Sequence, residues 1–280
     1  VVLSSNSDEA QLKAVTGQFT IAKVDASKNG LVSVAQNATL SITDLDTDAT
    51  SSVNVDKSGS LNLTGAAVIA GAVANAGSID AADTLTVSGN WTGAGTIANN
   101  KSITASNWTV SNTINNSKDN SVVTLSSGTN SLGIVVGGKL VANADFSADT
   151  LRNVKSLSVS SSVDGQIDAL AADTITNAGV LEVKSLTKTQ GVDYTQTAGS
   201  ITVTDNWFAN STLNLNGGTL VRDSLGSNDV TVAGASVDVD TLTSDTNFTL
   251  NSGSVSADTI NLTEEGKFTV SGGELSTGYS

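Results

Sequence analysis

Not one proline interrupts this chain of 280 residues. At ordinary usage about 14 would occur, so every backbone position keeps its N–H for a reason. Proline removes a donor from a strand ladder and survives mainly at edges, bulges and loops. The chain therefore reads as a fold in which nearly every strand is hydrogen-bonded on both sides.

Apolar–polar alternation recurs from end to end, in Leu61-Asn-Leu63, Leu85-Thr-Val87, Leu157-Ser-Val159, Leu181-Glu-Val183, Ile201-Thr-Val203, Leu213-Asn-Leu215, Val237-Asp-Val239, Ile260-Asn-Leu262 and Phe268-Thr-Val270. A period of two puts Leu, Val and Ile on one face and Thr, Ser, Asn and Asp on the other, which predicts short strands wet on one side. Clusters such as Ser88-Gly-Asn90, Asn216-Gly-Gly218 and Ser271-Gly-Gly273 separate them and suit left-handed corners. The sequence Ala-Asp-Thr followed by Leu or Ile begins at Ala82, Ala148, Ala172 and Ala257. Counting the near-copy Val239-Asp-Thr-Leu242, the gaps are 66, 24, 67 and 18, and the two long ones, near three times 22, suggest a unit of roughly 18 to 24 residues, one turn of a parallel β-solenoid. An antiparallel sandwich or immunoglobulin-like modules are the competing folds, but both use larger aromatic cores and tolerate proline. Here only 4% of residues are aromatic. The expectation is one all-β parallel solenoid domain over residues 1–280. About a dozen rungs at about 4.8 Å each would stack into it, on the order of 60 Å in all.

Near the start, Ser7-Asp-Glu-Ala-Gln-Leu-Lys-Ala-Val15 combines helix formers with early acids and a later Lys13, which predicts a helical turn or two. Residues 1–30 would then be an N-terminal cap over the first rung. The longest apolar stretch, Gly65 to Gly77, is too short to span a bilayer, which takes about 20 residues. With no initiator Met, export signal or terminal cap after Val270, the chain reads as a piece of something longer.

Composition removes most chemistry. Without His or Cys there is no Ser-His-Asp or Cys-His nucleophile system, nor a zinc, haem or iron–sulfur site using those ligands. No cofactor is expected. The 27 acidic residues exceed the 13 basic ones for a net charge of −14, and Arg152 and Arg222 are the two arginines, so nucleic acid and anionic membranes are poor partners.

Several constellations invite chemistry and each has a plain structural reading. Asp44-Leu-Asp46-Thr-Asp48 opens like a calcium loop, yet its sixth position is not Gly and Val55 stands where a bidentate Glu belongs. Turn-capping Asp is the simpler account. Thr-x-Thr pairs at Thr84, Thr174, Thr187, Thr195, Thr202 and Thr241 resemble ice-binding ranks, but irregular spacing and charged neighbours favour ordinary outward threonines. Trp91, Trp108 and Trp207 would be sugar-stacking platforms if exposed, and their alternating apolar neighbours favour packing at strand ends. Carboxylate pairs for glycan cleavage could come from Asp164 with Asp168 or Asp238 with Asp240, although acid-rich sequence produces such pairs by chance. The sequons at Asn37, Asn62, Asn247 and Asn261 follow equally from Asn- and Thr-rich composition.

Asn75-Ala-Gly-Ser-Ile79 running into Ala82-Asp-Thr-Leu-Thr-Val87, and Asn177-Ala-Gly-Val-Leu181, resemble the repeats of bacterial autotransporter passenger domains and haemagglutinin-like exoproteins. The likeness lies in repeat texture and extends over most of the chain from about Ser33. It implies a right-handed parallel β-helix, exported and displayed on the bacterial cell surface or released. The function expected is a non-enzymatic adhesin or adhesin stalk, whose partner is a glycan or protein on a host or neighbouring cell. A carbohydrate-active β-helix enzyme is the main alternative. Ice binding and end-to-end self-association into filaments are the others.

Overall fold

The computed structural model describes residues 1–4, 10–116, 118–205, 207–209, 211–262 and 266–278. The described residues are strand and turn throughout, with no helix, and every strand pairing in register is parallel. Each strand pairs with those one coil before and after it, at offsets between 16 residues (Asp164 with Val180) and 23 (Val2 with Asp25). The expected parallel β-solenoid is what the chain forms. Two compact units divide it, Val1–Thr150 and Leu151–Ser280.

In the first unit each coil has three sheets, and three inward columns follow from the register. One runs Leu40, Leu61, Ile79, Ile97, Ile114, Val135. The next runs Val24, Leu45, Ala67, Leu85, Ile103, Val123, Leu140. The third runs Val32, Val53, Val73, Trp91, Trp108. All of these side chains are buried. Trp91 and Trp108 fill two successive coils with ring centroids 4.7 Å apart, so the packing account of both holds and neither offers a face to a sugar.

The second unit repeats the scheme with Ile175, Tyr194, Leu213 and Val230 in one column. Tyr194 lies fully buried against Phe208, and burial pushes its phenol pKa up. Its hydroxyl donates to Gln196 Oε1 at 2.9 Å. In Thr219–Leu262 strand geometry continues through the corners for 44 residues.

Corners are built by buried amides. Asn75 Oδ1 accepts from the Gly77 N–H, and Asn75 Nδ2 donates to the Thr96 carbonyl of the following coil. Asn177 repeats this with Gly179 and Ser200, and Asn99 with Lys101 and Val122. One side chain thus satisfies a corner N–H and a carbonyl one coil on, which is how a fully buried amide is tolerated. Glycine follows it where backbones close up: a Cβ on Gly77 would sit 2.3 Å from the Gly59 carbonyl oxygen. Close approach, not a left-handed angle, demands glycine there. Gly218 and Gly273 do adopt the positive φ their sequence predicts.

Three expectations are corrected. Ala10–Ala14 is a strand paired with Gly30–Val34, not a helical turn. Its alternating exposure shows that ladder pairing overrides helix propensity, and Ser7–Glu9 lie outside the described residues. The Ala-Asp-Thr spacing does not measure the coil, since three coils from Thr84 lead through Ser102 and Val122 to Lys139 rather than to Thr150. The tetrapeptide marks a local corner, where Asp83 accepts from the Thr84 N–H and pairs with Lys101. Finally, the alternating pairs from Leu61 to Val239 are buried, but Leu262 and Val270 are 51% and 48% exposed. Among the described residues nothing pairs beyond Lys267–Val270 to cover them.

Val203→Asp would place an unpaired charge in a column that is 4% exposed and should cost several kcal/mol, whereas Thr202→Asp, one residue away and outward, should leave the thermal midpoint nearly unchanged by circular dichroism. Asn177→Ala strips partners from a buried N–H and a carbonyl and should destabilise by about 1–3 kcal/mol, measurable by urea unfolding.

Candidate binding grooves

Because inward positions are apolar, each coil carries its polar chemistry on the outside, and parallel register aligns it into rows. In the first unit two such rows line a shallow groove of about 410 Å³. Ser60, Ser78 and Thr96 follow one another in register, and Thr113 continues the row. Two residues along each strand, Asn62, Asp80, Ala98 and Asn115 form the second row. The backbone N–H and C=O groups of these strands are consumed by the neighbouring coils, leaving side-chain hydroxyls, amides and one carboxylate to meet a ligand. Asp80 is oriented by Asn100, whose Nδ2 donates to it at 2.7 Å, and Ser60 Oγ donates to Asn62 Oδ1 at 3.2 Å. Among the described residues, no basic or aromatic side chain lines this groove.

A second groove, of about 350 Å³, lies on the second unit. Its rows are Gln166, Glu182 and Thr202, then Asp168, Lys184 and Thr204, with Ile167 and Val183 at the floor. Asp168 therefore comes together with Glu182 and Lys184 of the next coil. Asp164, at the start of its strand, lines no part of the groove. Asp238 and Asp240 are both exposed and line neither groove.

The remaining sequence candidates fall into structural roles. Asp48 is a turn cap: it accepts from the backbone N–H groups of Lys28 and Thr50 and from the hydroxyls of Thr50 and Ser51. Those donors, Lys28 foremost, lower its pKa to about 2. Asp44 pairs with Lys23 at 2.9 Å, one coil away. No cluster of three or more potential metal ligands occurs among the described residues. Asp173, from an Ala-Asp-Thr corner, holds Lys188 and Lys155, which lower its pKa in that order of effect.

Threonines do line up, though not as the Thr-x-Thr pairs suggest: Thr86, Thr104 and Thr124 stack across three coils between Val68 and Val141. Trp207 is the part-exposed tryptophan, with the Arg222 guanidinium 4.1 Å above its ring and the Phe208 edge against it. Arg222 Nη1 also donates to the Val203 carbonyl, and burial lowers its pKa. Of the sequons, Asn37 is exposed at a left-handed corner, Asn62 lines the first groove and Asn247 donates to Asp229. Asn261 is exposed, and its Thr263 lies outside the described residues.

The sequence marks Asn62 only as a sequon and does not single out Ser60, Ser78, Asp80 or Thr96. The signal was present as an 18-residue step between Ser60-Leu-Asn-Leu, Ser78-Ile-Asp-Ala and Thr96-Ile-Ala-Asn. No family model, curated protein or solved structure matches the chain. No helix among the described residues is long and apolar enough to cross a membrane.

The lowered pKa of Asp48 predicts a specific acid response. A carboxylate with a depressed folded-state pKa stabilises the fold above its ordinary value, and that contribution is lost as pH falls through the folded value. Asp48's share should therefore vanish between about pH 4 and pH 2, and Asp48→Asn should flatten the thermal midpoint against pH across that window.

Proposed function

We propose that the chain is a non-enzymatic surface protein, exported and displayed outside a bacterial cell, that acts as an adhesin or the stalk of one. The observation that carries this reading is the alignment of polar side chains into rows on the outside of a fully hydrogen-bonded stack. Such rows present the same kind of group once per coil, about 4.8 Å apart. Contacts that are weak singly then add through effective concentration along one rigid support. The charged fraction of 14% and the Ser-, Thr- and Asn-rich exterior suit a surface that meets neutral partners, and the repeat texture around Asn75 and Asn177 points the same way.

Beads coated with the purified chain should attach to bacterial or animal cells in a saturable manner that soluble chain competes away. Attachment no greater than to albumin-coated beads would overturn the reading. Reducing-end release from a panel of bacterial and plant polysaccharides would overturn it in favour of a carbohydrate-active enzyme, with the second groove's Asp168 and Glu182 as the first residues to replace.

A further inference from the structure

Resting on that reading, we infer that the first unit's groove binds an extended, neutral polysaccharide that runs along the coil stack, crossing the strands. Its site is the pair of rows built on Ser60, Ser78, Thr96, Asn62, Asp80 and Asn115.

The chemistry of the lining selects the class of ligand. Hydroxyls donate and accept at once, and amides offer both in fixed geometry, which matches the vicinal hydroxyls of a sugar ring. A peptide strand has nothing to pair with, because the sheet's own N–H and C=O groups are already taken by the coils on either side. The isoleucines beneath the rows are buried, so the side chains that a ligand meets first are the outward hydroxyls, the amides and Asp80. An anionic polymer meets Asp80 with no lysine or arginine among the lining residues, on a chain of net charge −14.

The geometry sets the direction. Along a strand the groove offers two outward residues per coil, whereas across the strands it continues through Ser60, Ser78, Thr96 and Thr113. The step from coil to coil, about 4.8 Å, is comparable to the length of one pyranose residue in an extended chain. Each sugar can therefore face one hydroxyl and one row-two group before the next coil begins. With no aromatic ring in the lining to stack on, each subsite is weak, and affinity must accumulate with the number of coils engaged.

The test uses the intact chain and neutral oligosaccharides of two to eight residues, cello-, manno- and chito-oligomers, with oligogalacturonate as the anionic comparison, read by titration calorimetry or chemical-shift perturbation. At least one neutral series should bind with affinity rising steeply up to about four residues, the number of aligned coils, and levelling beyond. Thr96→Leu, at the centre of the groove, removes a hydroxyl and fills the row without offering a ring to stack on, and should weaken binding at least tenfold. Thr104→Leu, outward on the neighbouring sheet, should not, and unchanged circular dichroism spectra would show both variants folded. Length-independent binding, tighter binding of oligogalacturonate, or equal affinity in Thr96→Leu would each overturn the inference. Cell attachment that persists without any oligosaccharide binding would overturn it too, and would leave the adhesin reading standing on another surface.

Discussion

Everything in this molecule depends on the hydrogen bonds between one coil and the next. A parallel ladder uses the N–H and C=O of every residue, successive residues turning both groups alternately to the coil before and the coil after, so a residue without an N–H breaks it. That single demand accounts for the absence of proline, the short strands and the tight corners. Side-chain chemistry is then sorted automatically: alternate residues fall into a narrow apolar interior or onto a polar exterior. Stability and binding surface come from the same backbone arrangement.

Buried asparagine is the second element of that arrangement. A corner interrupts the ladder and leaves N–H and C=O groups that no strand can reach, and Asn75, Asn99 and Asn177 supply them from inside the coil. Gln196 does comparable work with a longer arm, donating to the carbonyls of Gly217 and Thr219. The cost of burying an amide is offset because both ends of it are used, and because one partner lies a full coil away the corner ties successive coils together.

The fold was legible in the sequence to the extent that local pattern dictates it. Alternation placed the inward residues of the strands from Leu61 to Val239 correctly, because a period of two has one physical meaning in a half-buried sheet. The corners were harder. Asn75-Ala-Gly77 stood out as repeat texture, but that its amide is buried and reaches Thr96 depends on a residue 21 positions away. Ala-Asp-Thr misled for the same reason: it records what a corner needs locally and carries no information about coil length. The N-terminal segment misled because helix propensity around Leu12 was outweighed by pairing with Val32. The groove was the least visible feature, since hydroxyls on Ser60, Ser78 and Thr96 become a row only once register is known.

Coil length is not fixed in this chain; the offset drops to 16 residues at Asp164 and reaches 22 between Thr109 and Ser131 while the inward columns stay aligned. Residues can evidently be gained or lost where the chain turns, without disturbing the neighbours above and below. A fold of this kind separates the part that must be conserved in geometry from the part free to vary: new loops can be hung from single turns, and a lineage under pressure to change what it touches can do so one coil at a time.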